Sequence, residues 1–348
     1  MFSILRPYIF SLDPEAAHDL AIKSLKLNFV PKIFFEVKNE EMLETELFKK
    51  KIKNPIGLAA GFDKSAEVYN SLFKLGFGFV EVGTITPKRQ FGNPKPRVFR
   101  LEKDKAMINR LGFNNDGIEI VSDRLSKSMP GGFLGINIGP NKDQKHKILD
   151  FLECFSKLNK FASYITINIS SPNTEGLRDF HEEKLLNELL TKLHELKKNN
   201  KIKCPIVLKL SPDIEEKEIN NINEMILKFK IDGIILTNTT NQNRDSLLDI
   251  KKHESGGLSG LPLHKLSLKF IKIFYKLNKG NLPIIGVGGI DNGKSAFEKI
   301  TSGATAIQLY TGMVYKGPGI IKNIKQELIE ILKKEKIKNV QEAIGINS

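Results

Sequence analysis

Residues 164–173 read YITINISSPN. An uncharged, β-branched run passes straight into two serines, a proline and an asparagine. Its apolar character is that of a parallel strand buried on both faces. Ser-Pro-Asn is common turn chemistry for leaving such a strand. Either Ser170 or Ser171 could equally be a reactive hydroxyl, and a hydroxyl is a weak base and nucleophile that needs help from its surroundings. The strand alone leaves both readings open.

The same pattern recurs along the chain. Short apolar runs stand at PIGLAA (55–60), FGFVEVG (77–83), GFLGINI (132–138), YITINIS (164–170), CPIVLKL (204–210), DGIILT (232–237), PIIGVGG (283–289) and AIQLYT (306–311). Amphipathic stretches lie between them. SAEVYNSLFKLG (65–76) ends on a glycine suited to a helix C-cap. HEEKLLNELLTKLHELKKNN (181–200) starts acidic and finishes basic, as the helix dipole favours. SPDIEEKEINNINEMILKFK (211–230) opens with Ser-Pro-Asp and two glutamates, a helix-start signature. Eight strand–helix alternations predict an α/β fold, a parallel (β/α)8 TIM barrel rather than a doubly wound open sheet.

The first 40 or so residues fall outside this alternation. LDPEAAHDLAIKSLKLNF (12–29) offers Asp13 as N-cap and Pro14 at the first helical position. Ala17, Leu20, Ala21 and Ser24 make one small, apolar face. Pro31 then breaks the chain before KIFFEV (32–37). This predicts a small N-terminal helical appendage. It serves either as a cap on the barrel floor or as an amphipathic foot on lipid, with Lys23, Lys26 and Lys32 near headgroups.

Composition narrows the class. The chain has 348 residues, 40% of them hydrophobic, enough for a soluble globular protein with a large core. Lys plus Arg number 54 against 40 Asp plus Glu, a net charge of +14. That excess suits anionic partners (nucleic acid, anionic lipid or an acidic small molecule) or reflects a Lys-rich composition bias. Cys154 and Cys204 form no C-x-x-C motif and read as free, buried or half-buried thiols of a reducing compartment. No His/Cys group has metal-ligand spacing, so no metal is expected. MFSILRPYIF lacks a cleavage site, and no uncharged run approaches a membrane span. Neither secretion nor membrane crossing is expected.

Barrel active sites sit at the C-terminal ends of the strands, and here those ends are polar. They read AAGFDK, GTITP, NIGPN, NISSPN, KLSPD, TNTT, GVGGID and YTG in order. Lys64, Thr84, Asn137, Asn168, Lys209 and Asn238 therefore share one rim. Each alone has an ordinary structural explanation; packing gives no reason for all of them together. The glycines of GVGGID, followed by YTG, stand where barrels bind phosphate. Amides and hydroxyls read flat rings carrying N–H and C=O groups, and two lysines supply charge for an anion. A phosphate, a flat heterocycle and no metal suggest flavin mononucleotide (FMN). None of the six histidines ends a strand, which argues against a histidine base and returns attention to Ser171.

The motifs NPIGLAAGFDK, EVGTITP, NRLGFNN, GINIGPN, INISSPNTEGLR, TNTT, GGLSG and IIGVGGI together resemble the dihydroorotate dehydrogenase family, its class 2, quinone-linked branch above all. The likeness runs from LDPEAAHDLA to YKGP. It implies oxidation of (S)-dihydroorotate to orotate in pyrimidine biosynthesis, with hydride leaving C6 for FMN and a C5 proton passing to a base. The resemblance makes Ser171 that base; class 1 relatives carry Cys there. It implies flavin contacts at Ala60, Gly61, Lys64, Thr84, Asn137, Asn168, Lys209, Thr237, Gly260, Gly289, Tyr310 and Thr311. Substrate contacts are implied at Lys64, Asn109, Arg110, Leu111, Gly112, Phe113, Asn168, Asn173, Asn238 and Thr239, and a quinone site at His18 and Arg100.

On the same basis residues 1–40 are expected to form a membrane and quinone-access segment, and 41–348 the FMN-binding barrel. The expected protein is a monomer, peripheral on the cytoplasmic face of the cell membrane, touching anionic lipid and no nucleic acid. Closure of SPNTEGLRDF over the substrate would exclude water, with Thr174 and water relaying the proton. The rivals are a fumarate- or NAD-linked class 1 type, a dihydrouridine or dihydropyrimidine reductase, and a basic binding module on an inactive barrel. Ser171 and the appendage argue against the first. A reductase would need a Cys acid, and neither cysteine ends a strand. The complete polar rim argues against the third.

Overall fold

The computed structural model describes residues 2–27, 35–242 and 244–348. Pro31 and Lys32, expected at the end of the appendage, lie outside them. Eight parallel strands close into a barrel: β1 (Ile56–Leu58), β2 (Phe79–Ile85), β3 (Phe133–Ile138), β4 (Tyr164–Asn168), β5 (Ile206–Leu210), β6 (Gly233–Leu236), β7 (Ile284–Val287) and β8 (Ala306–Leu309). Each pairs with its neighbour in chain order, and β8 closes on β1 with Ile307 opposite Ile56. The predicted barrel is therefore present, each strand falling within or beside its predicted run.

Two helices precede the barrel, α1 (Phe2–Ser11) and α2 (Pro14–Lys26). Then α3 (Tyr69–Lys74) follows β1, α4 (Ile118–Lys127) β2, α5 (Lys147–Leu158) β3, α6 (Glu183–Asn199) β4 and α7 (Glu216–Lys228) β5. After β6 comes α8 (His264–Leu277), after β7 α9 (Gly293–Thr301), and after β8 α10 (Thr311–Lys316) and α11 (Ile320–Lys334). Two helix starts differ from the sequence reading. The Asp63 carboxylate accepts from the Glu67 and Val68 amides, and Ala66 takes a φ of 53°, so α3 starts at Tyr69 rather than Ser65. Glu215, bonded through its amide to the Glu218 side chain, opens α7; Ser211–Asp213 is a loop with its own task.

Alternation along each strand splits the core. Outward side chains such as Val80, Val82, Ile136 and Ile165 meet the helices. Phe79, Phe133, Tyr164, Val207, Ile235, Ile285 and Ala306 point inward and fill the N-terminal end of the barrel. The hairpin Thr45–Leu47/Lys50–Ile52 closes that floor, and its Phe48 ring lies 5.2 Å from Tyr164. The floor is thus closed by this hairpin, while α1 and α2 roof the opposite mouth. A three-stranded antiparallel sheet, Val98–Leu101, Ala106–Asn109 and Gly257–Gly260, flanks the same mouth.

Candidate active site

The mouth holds a cavity of about 710 Å³ lined from α1, α2 and the ends of the barrel strands. Beneath it a charged group lies inside the barrel. On β2 the inward positions are Phe79, Glu81 and Gly83, so period-2 geometry carries Glu81 into the barrel interior. There it is fully buried and accepts four hydrogen bonds. Asn137 Nδ2 donates to one carboxylate oxygen at 2.8 Å. Tyr164 Oη, Thr166 Oγ1 and Gln308 Nε2 donate to the other at 2.9, 3.1 and 3.0 Å. Gly135 makes this possible, because a Cβ there would lie 2.2 Å from the Tyr164 ring.

This carboxylate sets the polarity of the amides above it. An acceptor-only group forces Asn137 to point its NH2 downward. Its carbonyl oxygen then faces up, accepting from Thr84 Oγ1 at 2.6 Å and Asn168 Nδ2 at 3.1 Å. Asn168 in turn presents its oxygen to the Ser170 amide and hydroxyl, at 3.3 and 2.9 Å. Ser170 Oγ accepts from Asn238 Nδ2 at 2.9 Å. The two serines of the opening motif thereby separate: Ser170 is buried mortar between two asparagines, and Ser171 lines the cavity, its Oγ accepting from the Asn173 amide at 3.3 Å. Thr174 is buried but does not line the cavity, so it does not meet substrate space directly.

Of the two lysines, Lys209 is a buried cation and Lys64 a half-buried one. Burial pulls Lys209 down from the usual lysine range, opposed by Glu81. Lys64 is lowered to about 8, by burial first. Its Nζ lies 3.4 Å from His18 Nε2, which joins the roof to the barrel rim. Burial and then Lys64 hold His18 neutral, at about 3. An edge-to-face aromatic chain runs the same way, His18 to Phe62 at 5.2 Å and Phe62 to Tyr310 at 5.7 Å.

Of the residues singled out in the sequence, Ala60, Gly61, Lys64, Thr84, Asn168, Ser171, Asn173, Lys209, Thr237, Asn238, Thr239, Gly260, Gly289, Tyr310 and Thr311 all line this one cavity. Asn109, Leu111, Gly112, Phe113, His18 and Arg100 line it too. Two do not. Asn137 lies one layer below, acting through Thr84 and Asn168. Arg110 turns away: its Nη1 pairs with Glu254 at 2.8 Å and its guanidinium lies over Phe99, so only the neighbours in its run face the cavity. Arg100 is a lining residue with a further task. Its Nη1 donates at 3.0 Å to the carbonyls of both Phe10 and Leu12, capping the end of α1, and its Nε is buried unpaired.

Sequence reasoning missed Glu81, Arg97 and Arg178. Glu81 was legible as a lone carboxylate within the inward register of an apolar strand. Arg97 clamps Glu15 of α2 through Nε and Nη2 and bonds the Phe91 and Asn93 carbonyls, contacts between segments that no local pattern announces.

Cys154 is buried and Cys204 half-buried, and burial raises both thiols, Cys204 to about 12. Among the described residues no group of three His, Cys, Asp or Glu is placed to hold a metal ion, and no helix is long and apolar enough to cross a membrane.

Residues 42–332 match the family model described as dihydroorotate dehydrogenase. A protein named dihydroorotate dehydrogenase (quinone) from Rhodopseudomonas palustris (strain BisA53) is 42% identical over 98% of this chain and 94% of its own length. One of the same name from Bartonella tribocorum is 45% identical over 97% and 94%. The crystal structure of DHODH from Eimeria tenella in complex with ferulenol superposes with a TM-score of 0.92 at 39% identity, covering 96% of both chains.

Proposed function

Since this chain belongs to the dihydroorotate dehydrogenase family, we infer that the cavity at the barrel mouth is where dihydroorotate is oxidised. The chain oxidises dihydroorotate to orotate in pyrimidine biosynthesis, with a quinone as electron acceptor. One observation carries the assignment of the site: Ser171, Lys64, Lys209 and the asparagines 109, 168, 173 and 238 converge on one cavity that α2 roofs with His18.

The proposed flavin is FMN, and the residues fit it. Thr237 Oγ1 is buried at the rim without a hydrogen-bond partner. Gly288 and Gly289 take φ of 110° and 73° beside the first residue of α8, leaving backbone N–H groups free of side chains for a phosphate. Lys209 supplies buried positive charge. Bound there, FMN would take the hydride from C6 of the substrate and deliver the electrons to quinone. Ala60, Gly61, Lys64, Thr84, Asn168, Lys209, Thr237, Gly260, Gly289, Tyr310 and Thr311 would hold it, over Asn137.

The chain's own groups do the rest. Lys64 would hold the substrate carboxylate. Asn109, Asn173 and Asn238 would read its ring amides, the polarity of Asn238 being fixed from below by Glu81 through Asn137, Asn168 and Ser170. Ser171 would take the C5 proton, as a weak base that works only in a cavity closed to water. His18 and Arg100 would border the quinone, entering between α1 and α2. Exposed Ile4, Leu5, Tyr8 and Leu12 on and just after α1 support a peripheral lipid contact for residues 1–40, with the basic surface facing anionic headgroups.

An anaerobic spectrum of the purified protein tests the reading. A bound flavin should bleach with dihydroorotate and recover with a soluble quinone, but not with fumarate or NAD; a flavin that stays oxidised would move the assignment to another pyrimidine. Ser171→Ala is expected to keep its flavin and to slow flavin reduction roughly 10²–10⁴-fold, the usual worth of a general base. His18→Ala should slow reoxidation by quinone and spare reduction by dihydroorotate. Equal damage to both half-reactions would remove the separate quinone site.

A further inference from the structure

One side chain gathers the loops above three neighbouring strands. Arg178 donates from Nε to the Ser170 carbonyl at 3.3 Å, from Nη1 to the Asp213 carboxylate at 3.0 Å and from Nη2 to the Thr239 carbonyl at 3.2 Å. These acceptors follow β4, β5 and β6. Asp213 is itself held in place: its side chain is 4% exposed, and it accepts from Thr240 Oγ1 and, at 3.0 Å, from the Asn241 amide. The Asp213 amide bonds Ser211 Oγ at 3.1 Å, which makes the SPD turn a mount for this carboxylate. A planar guanidinium fork can serve three acceptors at once; a lysine ammonium on a flexible stem cannot match that geometry.

Two of the three held residues adjoin the reacting groups. Ser170 precedes Ser171, and Thr239 follows Asn238. The near side of the loop is tied separately, by Asn173 Nδ2 on the Asn109 carbonyl at 3.1 Å. Arg178 does not line the cavity, so it acts only through what it holds. We propose that Arg178, mounted on Asp213, is a positioning residue that fixes the Ser171 hydroxyl relative to the Asn238–Thr239 edge of the substrate pocket. The proposal rests on Ser171 being the base. A base displaced by about 1 Å costs on the order of 10²-fold in rate.

The test uses flavin-loaded full-length protein with Arg178→Ala, Arg178→Lys, Asp213→Asn and, alongside, Ser171→Ala. Reduction by dihydroorotate and reoxidation by quinone are measured separately, with substrate deuterated at C5 or at C6. Arg178→Ala should reduce about 10²-fold more slowly at saturating substrate, with flavin content and reoxidation within about twofold of the parent. Its C5 isotope effect should rise more than its C6 effect, because the displaced base makes C5–H cleavage harder. Arg178→Lys and Asp213→Asn should fall between, and they stand in if the alanine variant loses its flavin. Reduction within threefold of the parent in all three variants would overturn the proposal. So would equal losses in both half-reactions with both isotope effects unchanged, the mark of a merely structural role. If Ser171→Ala reduces normally the base assignment fails; if it is slow while the Arg178 variants are normal, only the clasp fails.

Discussion

Single residues decide the chemistry here by what they cannot do. Glu81 cannot donate, so every group around it must, and the asparagines stacked above inherit one orientation. Glu81→Leu would leave three buried donors, on Asn137, Tyr164 and Thr166, without an acceptor, at about 1–3 kcal/mol for each unsatisfied group. Chemical denaturation should therefore show a loss of several kcal/mol, whereas Glu81→Gln should fold and instead bind flavin more weakly. Lys64 gives a pH prediction. Burial lowers its ammonium to about 8, and an anionic ligand beside it favours the charged form. Orotate affinity should be level below about pH 8 and fall by up to tenfold per unit above it. Titration of Lys64→Met should give weaker binding with that bend removed. At this scale the sequence was informative where a polar residue interrupts a strand end, as at Lys209 or Asn168. It named Arg110 with its neighbours as a substrate contact, but could not show that this side chain leaves the run to meet Glu254.

At the scale of elements, α2 shows how local chemistry serves a distant site. Asp13 Oδ1 accepts from the Glu15 and Ala16 amides at 3.0 and 3.1 Å, with Pro14 opening the helix as the sequence predicted. That cap orders the helix carrying His18 and Glu15 to the cavity roof. Asp13→Ala should cost about 1 kcal/mol and slow reoxidation by quinone more than reduction by dihydroorotate, a ratio that stopped-flow traces of the two half-reactions would give. Barrel strands were legible because burial on both faces leaves apolar runs that nothing else in the chain imitates. Helix starts were less so, since Asp63 and Asp213 spend their side chains on neighbouring loops rather than on helix caps. The α1 helix, with Pro7 inside it, carries no start signal of its own, and its C-terminal carbonyls are satisfied by Arg100 from a strand 90 positions away.

For the whole molecule, two histidines, His181 buried and His18 half-buried, set the acid limit. Burial lowers His18 to about 3 and His181 to about 4. An unfolded chain takes up those protons near the ordinary histidine value of about 6.5. Their contribution to stability is therefore intact above about pH 6.5 and is lost as pH falls towards 4 and 3. Thermal unfolding followed from pH 7 to 4 should show this slope, reduced in His18→Phe. The +14 net charge acts at the same scale and shaped no element. Flotation with vesicles should separate its role from that of the apolar foot: Ile4, Leu5 and Tyr8 changed to Ser should release the protein at any salt, while salt alone should weaken only the electrostatic part.

The clamps between roof and barrel reach beyond the native enzyme. Glu15 neutralises Arg97, and the end of α1 occupies Arg100. A protein shortened to remove α1 and α2 would open the cavity into a trench and leave the guanidinium groups of Arg97 and Arg100 on its lip without the partners those helices supply. Compounds selected against such a shortened form would be rewarded for carrying acidic groups that bridge those two arginines. Against the full-length chain, where both arginines are already engaged, the same compounds would lose the interactions for which they were chosen.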